Sequence, residues 1–420
     1  MVTGSAENHL DHVMQFDGYG LLKANLIFGP NASGKTNLFK AILYSRDYIL
    51  KHPAMWGSPG GEHLIGRNRF ASPDAGATRF EYSMETCGEQ YRYGFEVTED
   101  PHAQDGEMGR NLITGEWLYQ IYADIDDEPI FERRLEDGRI LLKFGRGVQE
   151  CEHGIPDSRE TLVLTAVGES IKAGGAIAFG ASRDPAETDA WSEDHRRFLD
   201  ASEKVYRWFR DTLAVISPNE APRHVPDYRR EENAIALSEI MSKLDLGIRE
   251  IDPKVGWARA DGRETEGAVS GDDIACGSVR PVFKIYHHGI ERPFDVSDES
   301  EGAKWLLDLA QILIYDESDR TYVVDEIDRC LHPLMTYDIV EYFISKSFEK
   351  NKQLVATAHQ AMLIDPKLLR RDEIVFVEKD MDGITSMFSL DDYRERPGEN
   401  VMGYYLDGRY GAVPRISLHY

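Results

Sequence analysis

A phosphate-loop motif restricts this chain to a small group of folds. Residues Gly29-Pro30-Asn31-Ala32-Ser33-Gly34-Lys35-Thr36 match G-x-x-x-x-G-K-[ST] at every fixed position. The glycines let backbone N–H groups turn towards a phosphate, Lys35 adds a positive charge, and Thr36 offers a hydroxyl to Mg²⁺. An apolar run at 25–28 precedes the loop and a predicted helix follows it, so an anion would lie at a helix N-terminus. The pattern predicts nucleotide binding; the alternative is a chance Gly/Ser-rich turn.

The composition excludes some classes of function. The 420 residues include 48 Lys and Arg against 74 Asp and Glu, a formal net charge of −26. Proteins that coat nucleic acid without selectivity depend on many Lys and Arg contacts, so this acidity argues against that class. A local basic groove remains open as an alternative. The four cysteines, Cys87, Cys151, Cys276 and Cys330, form no C-x-x-C pair, which predicts reduced thiols and gives no zinc signature.

The sequence also predicts a cytoplasmic protein without membrane contact. The longest apolar stretch, Leu306 to Tyr315, is interrupted by Asp308 and Gln311 and is shorter than the ~20 residues of a membrane span. The N-terminus has no basic segment followed by an apolar one.

Changes of pattern along the chain predict three parts. Alternating runs at 79–84 and 91–97 flank a short Gly turn and predict a hairpin, and similar runs continue to residue 144. From about Ser158 to Leu246, apolar residues recur at helical spacing, and strands return from Val279. We therefore predict an ATPase lobe at 1–150, a mainly helical insertion at 151–278, and a second ATPase lobe at 279–420.

An acid pair after a second apolar run supplies the expected partner of the phosphate loop. The β-branched run at 321–324 is typical of a buried parallel strand, and Asp325 and Glu326 follow it directly. Asp325 at the end of such a strand is placed to hold Mg²⁺, and Glu326 to polarise a water for attack on a γ-phosphate. The alternative is two acids that end a strand at the surface.

Three further features follow in a characteristic order. Ser300-Glu301-Gly302 precedes a predicted helix, Asp328 lies shortly after the acid pair, and a second apolar strand at 353–358 ends at His359. This order resembles the ABC-type ATPase head of the RecF/SMC branch.

The resemblance extends to two later segments, 370–379 and 405–414. Together these features resemble the AAA-labelled, ABC-type ATPases of abortive-infection and other anti-phage systems, of the AbiL and RloA kind. The resemblance covers nearly the whole chain, more loosely between Glu150 and Val279. Two departures stand out. Members of that group begin with an apolar strand and an Asn-Phe-rich segment that this sequence lacks, so we expect a truncated start or one strand fewer. Glu301 also replaces a glycine found in many ABC signatures.

The resemblance implies an α/β phosphate-loop ABC-type head with a mixed sheet, an antiparallel β portion and an inserted helical lobe. The interval from Thr36 to Ser300 is too short for SMC-length coiled-coil arms, so we expect no long coiled coil. The resemblance also implies an ATP sandwich, in which two heads close head-to-tail on two nucleotides. The residues that it assigns are Gly29, Asn31, Ser33, Gly34, Lys35 and Thr36 on ATP, Thr36 and Asp325 on Mg²⁺, Glu326 as general base, His359 on the γ-phosphate, Ser300 and Gly302 on the nucleotide of the opposite subunit, and Asp328 at the dimer seam. The alternatives are a helix N-cap for Ser300 and a core histidine for His359.

The leading functional hypothesis is a Mg-dependent ATPase that dimerises on ATP and senses for, or regulates, a separately encoded effector in anti-phage defence. The resemblance implies a nuclease as that effector and an ATP-dependent homodimer or higher oligomer. Two alternatives stay open, a slowly hydrolysing scaffold and a RecF-like DNA-maintenance ATPase. The candidate nucleic-acid contacts of the latter are Arg196, Arg197, Arg207, Arg210, Arg229, Arg230 and Lys243. The sequence assigns no Gln-loop residue and no trigger.

Overall fold

The computed structural model describes most of the chain. The described residues are 3–4, 9–16, 19–50, 76–99, 111–122, 126–136, 139–145, 161–172, 193–218, 231–244, 247–252, 256–259, 269, 279–314, 318–347, 351–393 and 400–414. They form two compact units, Ala41–Arg210 and the remainder of the chain. The boundaries predicted from the sequence, at 150/151 and 278/279, lie outside the described residues or at their edge and stay a prediction.

The first unit is built on a mixed sheet of six strands. The described strands of the whole unit, including those of its smaller sheets, are β1 Val13–Phe16, β2 Tyr19–Leu22, β3 Ala24–Phe28, β9 Leu213–Ile216, β10 Ile248–Ile251, β11 Gly256–Arg259, β12 Val279–Val282, β13 Lys284–His287, β14 Phe294–Asp295, β15 Arg320–Val324, β16 Lys352–Ala358, β17 Ile374–Lys379 and β18 Thr385–Ser389. The six-stranded sheet has the order β18-β17-β3-β16-β15-β9. Strands β17 to β9 are parallel, and β18 pairs antiparallel with β17. The mixed sheet predicted from the sequence is confirmed.

Strand composition explains the position of this sheet in the core. All five residues of β3 are buried, and so are the last three residues of β15. Continuous apolar runs of this kind suit parallel strands that are covered on both faces. Strand β9 lies at the sheet edge beside β15, although the sequence assigned it to a helical insertion. Its four residues Leu213–Ile216 are all buried, and so short an apolar run has no periodicity that distinguishes strand from helix.

Helices cover this sheet. The helices of the chain are α1 Lys35–Leu50, α2 Val163–Lys172, α3 Glu193–Arg207, α4 Glu231–Lys243, α5 Glu301–Leu313, α6 Pro333–Lys346 and α7 Val401–Leu406. Helices α4 to α7 belong to the first unit, and α1 begins there at Lys35. In α4, Leu237 is buried but Ile235 is 51 % exposed, so the apolar stripe predicted there only partly faces the core. Among the described residues the longest helix, α1, has 16 residues, which agrees with the absence of a long coiled coil.

The C-terminal segment packs against the phosphate-loop strand. The ring of Phe376 on β17 stacks on Tyr405 at 5.3 Å and on Tyr410 at 5.6 Å between centroids. Phe28, at the end of β3, lies 6.4 Å from Tyr405. Stacked rings of this kind contribute about 0.5–1.5 kcal/mol each beyond their buried area. The segment 405–414 noted in the sequence therefore supports the strand that precedes the loop.

The second unit contains a five-stranded antiparallel sheet. Its strands are β4 Thr78–Thr86, β5 Glu89–Glu99, β6 Asn111–Ile121, β7 Glu128–Glu136 and β8 Arg139–Phe144, paired in that order. The predicted hairpin is present, with a turn at Cys87 and Gly88, both at positive φ. Helix α3 packs on this sheet, because Phe198 lies against Phe131 and Phe144. Phe198, Ala201 and Val205 are buried, as the helical spacing predicted.

A buried carboxylate organises the start of α2 in the same unit. Glu116 accepts hydrogen bonds from the backbone N–H groups of Val163 and Leu164 at 2.8 and 3.1 Å. Burial raises the pKa of the Glu116 carboxyl, while Arg133 and these N–H groups oppose the rise.

In the described residues no helix is long and apolar enough to cross a membrane.

Candidate functional site

The phosphate loop lies between the carboxyl end of β3 and the first turn of α1. A Cβ on Gly29 would stand 2.3 Å from the backbone oxygen of Val377, so the position requires glycine. Gly34 has φ +112° and packs against Thr385, whose hydroxyl donates to the Ser33 carbonyl at 3.0 Å. Ala32 has φ 64°, in the left-handed region. The loop therefore turns its backbone tightly and rests on β17 and β18.

Two side chains of the loop are buried and turned inward. The Lys35 ammonium donates to the carbonyl oxygens of Gly29 at 2.6 Å and Pro30 at 3.0 Å. Burial lowers the pKa of Lys35, and Asp325, Asp328 and Glu326 oppose this shift. The Ser33 hydroxyl is buried, and it has no hydrogen-bond partner among the described residues. Thr36 and Asn31 are exposed.

The acid pair follows β15 in a fixed geometry. Asp325 is 5 % exposed, and its Oδ1 accepts a 2.7 Å hydrogen bond from the Thr357 hydroxyl. The same hydroxyl accepts from the Glu326 backbone N–H at 2.7 Å. Thr357 thus ties both acids to β16. The sequence analysis did not identify Thr357. The signal that could have found it is its hydroxyl, the one polar side chain in the apolar run that ends β16.

Glu326 has an unusual backbone conformation. Its φ is 53°, although it is not glycine, and its half-buried carboxylate lies 3.6 Å from Arg329 Nη1. Holding a residue in such a region costs on the order of 1–3 kcal/mol, and strain of this kind is concentrated at functional sites.

Asp328 positions the segment that contains His359. Asp328 is buried, and its Oδ2 accepts from the backbone N–H groups of His359 at 2.7 Å and Gln360 at 2.6 Å. The Gln360 side chain donates to the Leu331 carbonyl at 3.1 Å. The His359 side chain is exposed rather than a member of the core. Asp328 and Gln360 thus fix the backbone from which the His359 ring projects.

Ser300 and Gly302 lie at the start of α5. Ser300 caps this helix by accepting a 3.1 Å hydrogen bond from the Ala303 N–H. The helix cap considered as the alternative for Ser300 is therefore present, and Ser300 itself is exposed. A Cβ on Gly302 would stand 2.9 Å from the Cys330 carbonyl oxygen. These residues therefore lie beside the 328–331 segment, whereas the phosphate loop rests on β17 and β18.

The sheet brings the separate motifs to one edge. Strands β3, β16 and β15 are neighbours and parallel, so the phosphate loop, His359 and Asp325 all follow carboxyl ends at the same edge. This edge is where parallel α/β sheets bind ligands. Only β16 separates β3 from β15, so their ends lie roughly 10 Å apart. Asp325, Asp328 and Glu326 at this edge oppose the lowering of the Lys35 pKa by burial, because negative charges favour the ammonium.

The residues present fit a magnesium nucleotide. The buried hydroxyl of Ser33 lacks a hydrogen-bond partner, and Gly29 leaves no room for a side chain, both features of a cradle for backbone contact with phosphate. The Lys35 donors are held by loop carbonyls that a phosphate oxygen could replace. Thr36 and Asp325 supply the hydroxyl and carboxylate oxygens that Mg²⁺ prefers.

Comparison with known proteins gives a partial family match. Residues 170–365 match the family described as "AAA domain, putative AbiEii toxin, Type IV TA system". The match covers slightly less than half of the chain, including the acid pair and His359 but not the phosphate loop. No curated protein matches the sequence.

Several solved structures are similar to the chain. One is an Smc head bound to the C-winged helix domain of ScpA, 16 % identical, with a TM-score of 0.36, over 88 % of this chain and 91 % of that one. The SMC head domain of Thermotoga maritima is 15 % identical, with a TM-score of 0.31, over 87 % and 89 %. A Pyrococcus furiosus Smc head with an extended coiled coil, bound to the C-terminal domain of ScpA, is 16 % identical, with a TM-score of 0.34, over 88 % and 91 %.

At such identities and TM-scores these likenesses carry no conclusion about activity or partners. Residues 170–365 are thus similar to an AAA domain family, and the chain has a phosphate loop at the carboxyl edge of the parallel strands in an α/β unit.

Proposed function

We propose that this protein is a Mg-dependent ATPase that closes as a dimer on ATP and regulates a separately encoded effector in anti-phage defence. The observation that supports the ATPase activity is the meeting of Lys35 with Asp325 and Glu326 at one edge of the sheet. A phosphate-loop lysine and a pair of acids at the same edge of a sheet suit phosphoryl transfer, in which catalysis consists of positioning and charge stabilisation.

Each residue has a role that follows from its placement. Lys35 exchanges its bonds to the Gly29 and Pro30 carbonyls for phosphate oxygens, while Ser33 gains a partner for its buried hydroxyl. Thr36 and Asp325 hold Mg²⁺, which neutralises charge on the phosphates when bound. Glu326 takes a proton from the attacking water, since its carboxylate follows β15 directly after Asp325 and is half-buried. His359 contacts the γ-phosphate from the backbone that Asp328 fixes.

The positions of Ser300 and Gly302 support completion of the site by a second copy. Ser300 is exposed, and Gly302 lies against the Cys330 carbonyl after β15, whereas the phosphate loop rests on β17 and β18. In a head-to-tail pair the start of α5 from one copy would face the nucleotide on the phosphate loop of the other. Asp328 then acts from within its own chain by holding the loop at the seam.

The defence role is supported by the family description of residues 170–365, which names an AbiEii-type toxin and a toxin–antitoxin system. In this proposal the effector responds to the closed dimer, because that is the state of the protein that depends on ATP. The effector that we propose is a nuclease.

Glu326→Gln tests the catalytic assignment. The variant should lose about 10²-fold or more in ATP turnover, since a general base contributes roughly 10²–10⁴-fold. It should still bind ATP and accumulate as a dimer in light scattering with ATP and Mg²⁺. Glu341→Gln, an exposed acid on α6, is the matched control and should behave as wild type. Unchanged turnover in Glu326→Gln would reject the assignment, and equal inertness of wild type and variant would favour the scaffold alternative.

Mixing two inactive variants tests completion in trans. Lys35→Ala removes the phosphate-loop cation, and Ser300→Arg places a bulky cation at the start of α5. If each site uses the loop of one copy and α5 of the other, mixed dimers contain one intact site and part of the turnover returns. No recovery in the mixture, with each variant folded and Ser300→Arg still binding ATP, would reject the sandwich.

The defence role is tested in the native host. Deletion of the gene should change infection outcome, and affinity purification with ATP should recover a nuclease that is lost with Lys35→Ala. An unchanged infection outcome together with no recovered nuclease would reject the defence role while leaving the ATPase assignment intact.

Three of the basic residues that the sequence offered for the DNA-maintenance alternative are paired with acids, while Arg229 and Arg230 lie outside the described residues. Arg197 pairs with Glu128 at 2.7 Å, Arg207 with Glu203 at 2.7 Å, and Lys243 with Glu239 at 3.9 Å. Cations paired with carboxylates contribute less to counterion release on nucleic acid. Salt-dependent duplex binding that appears only with ATP would support this alternative.

A further inference from the structure

A cluster of two histidines and an aspartate lies away from the nucleotide site. His9, Asp11 and His12 each present one ligand atom, and these atoms all lie within 4.8 Å of one another. His9 caps a short 3-10 turn at Leu10–His12, and its φ of 47° brings its ring to 4.7 Å from the ring of His12. Histidine nitrogen and carboxylate oxygen at this spacing are ligands typical of a transition-metal ion.

Each histidine ring has one nitrogen hydrogen-bonded to an acceptor, which leaves the other nitrogen available to a ligand bond. His9 Nε2 lies 2.9 Å from the carbonyl oxygen of Pro366, which can only accept, so Nε2 carries the proton and Nδ1 keeps its lone pair. His12 Nδ1 lies 2.9 Å from Glu373 Oε2, so Nδ1–H donates to the carboxylate and Nε2 is left for a ligand bond. A ligating histidine almost always donates its other N–H to a carbonyl or carboxylate in this way.

Glu373 supplies a second, independent observation. It is fully buried, its Oε2 accepts from His12 and from the Arg370 N–H at 2.8 Å, and its Oε1 has no hydrogen-bond partner among the described residues. A buried carboxylate oxygen without a partner is costly. Lys23 interacts with Asp11 and Glu373. Arg370, which contacts the His9 carbonyl at 3.5 Å, is paired with Asp372. Three carboxylates against two cations leave the surroundings of the cluster negative and attractive to a metal ion.

The position of the cluster separates it from the nucleotide site. The His12 carbonyl accepts from the Lys23 N–H, at the amino end of β3, whereas the phosphate loop follows the carboxyl end. Five strand residues place the two ends roughly 17 Å apart. The cluster joins the turn before β1 to the segment 366–373 before β17.

We propose that His9, Asp11 and His12 bind one zinc ion. The ion would hold both histidine rings in place, and these rings contact Pro366 and Glu373 in the segment before β17. Two imidazoles and a carboxylate suit Zn²⁺ better than Mg²⁺, which prefers oxygen ligands in an octahedral arrangement. The role is structural, because the site lies at the opposite end of β3 from the nucleotide.

The test measures metal content and binding directly. The full-length protein, stripped with chelator and dialysed against excess Mg²⁺ to occupy the nucleotide site, is titrated with ZnCl₂ by calorimetry and with CoCl₂ by visible absorption. We expect about one tight zinc per chain, visible d–d bands from cobalt, and a rise in melting temperature with zinc.

Matched variants make the result decisive. Asp11→Asn changes an exposed residue and should weaken zinc binding at least tenfold without unfolding the protein; His12→Ala should abolish it. His288→Ala, an exposed histidine in a turn, should bind as wild type. Absence of a tight zinc site in wild type, or an affinity in Asp11→Asn and His12→Ala equal to that in His288→Ala, would overturn the proposal. Neither result bears on ATP hydrolysis.

Discussion

Thr357→Val isolates the hydrogen bonds that hold the acid pair. Valine keeps the shape of threonine but lacks the hydroxyl that donates to Asp325 Oδ1 and accepts from the Glu326 N–H, both at 2.7 Å. A hydrogen bond to a charged group contributes about 1.5–3 kcal/mol, and a buried N–H left without a partner costs about 1–3 kcal/mol. Because the two bonds share one hydroxyl, we expect a combined loss of about 3 kcal/mol rather than the full sum.

The assay is calorimetric unfolding of the nucleotide-free protein, followed by ATP turnover. For a unit of this size about 1 kcal/mol corresponds to about 2–4 °C, so the melting temperature of the first unit should fall by about 6–12 °C. Turnover should fall further than stability alone explains, because Asp325 and Glu326 lose their common anchor. Thr357→Ser is the control: it keeps the hydroxyl, loses a methyl group worth about 0.8 kcal/mol, and should stay active. Equal stability and turnover in the Val and Ser variants would refute the reasoning.

Two more predictions concern the phosphate loop. Gly29→Ala places a Cβ 2.3 Å from the Val377 carbonyl oxygen, so the loop must move and ATP affinity by fluorescence titration should fall at least tenfold, whereas Gly76→Ala, with nothing within 4 Å, should bind normally. Lys35→Met removes a cation whose pKa burial lowers from 10.5. Between the lowered pKa and 10.5 the unfolded chain holds more protons than the folded one, so wild-type stability gains from Lys35 as pH rises through that window. In urea titrations the Lys35→Met variant should lack this gain, and near neutral pH its stability should match or exceed that of the wild type. ATP should no longer stabilise the variant. A variant that ATP still stabilises would contradict the role of Lys35.

Local sequence was sufficient for motifs in which every requirement lies within a few residues. The glycines and Lys35 of the phosphate loop encode a backbone conformation and a charge, so the loop and its strand and helix were predicted at the correct positions. The same holds for Asp325 and Glu326 after β15, and for the hairpin at β4 and β5. Periodicity and turn residues act over short distances, which is why they can be seen without the fold.

Contacts between distant segments were decided only by the tertiary structure. Strand β9 joins the sheet through pairing with β15, more than 100 residues later, and its four apolar residues alone do not distinguish a strand from the helices predicted around them. Thr357 is one threonine among many until β16 places it beside Asp325. Glu373 lies 361 residues from His12 in sequence, and only packing brings its carboxylate to that ring. Spacing along a chain predicts the elements and the charges on them, but the partner of a buried polar group depends on which strands are neighbours in the folded sheet.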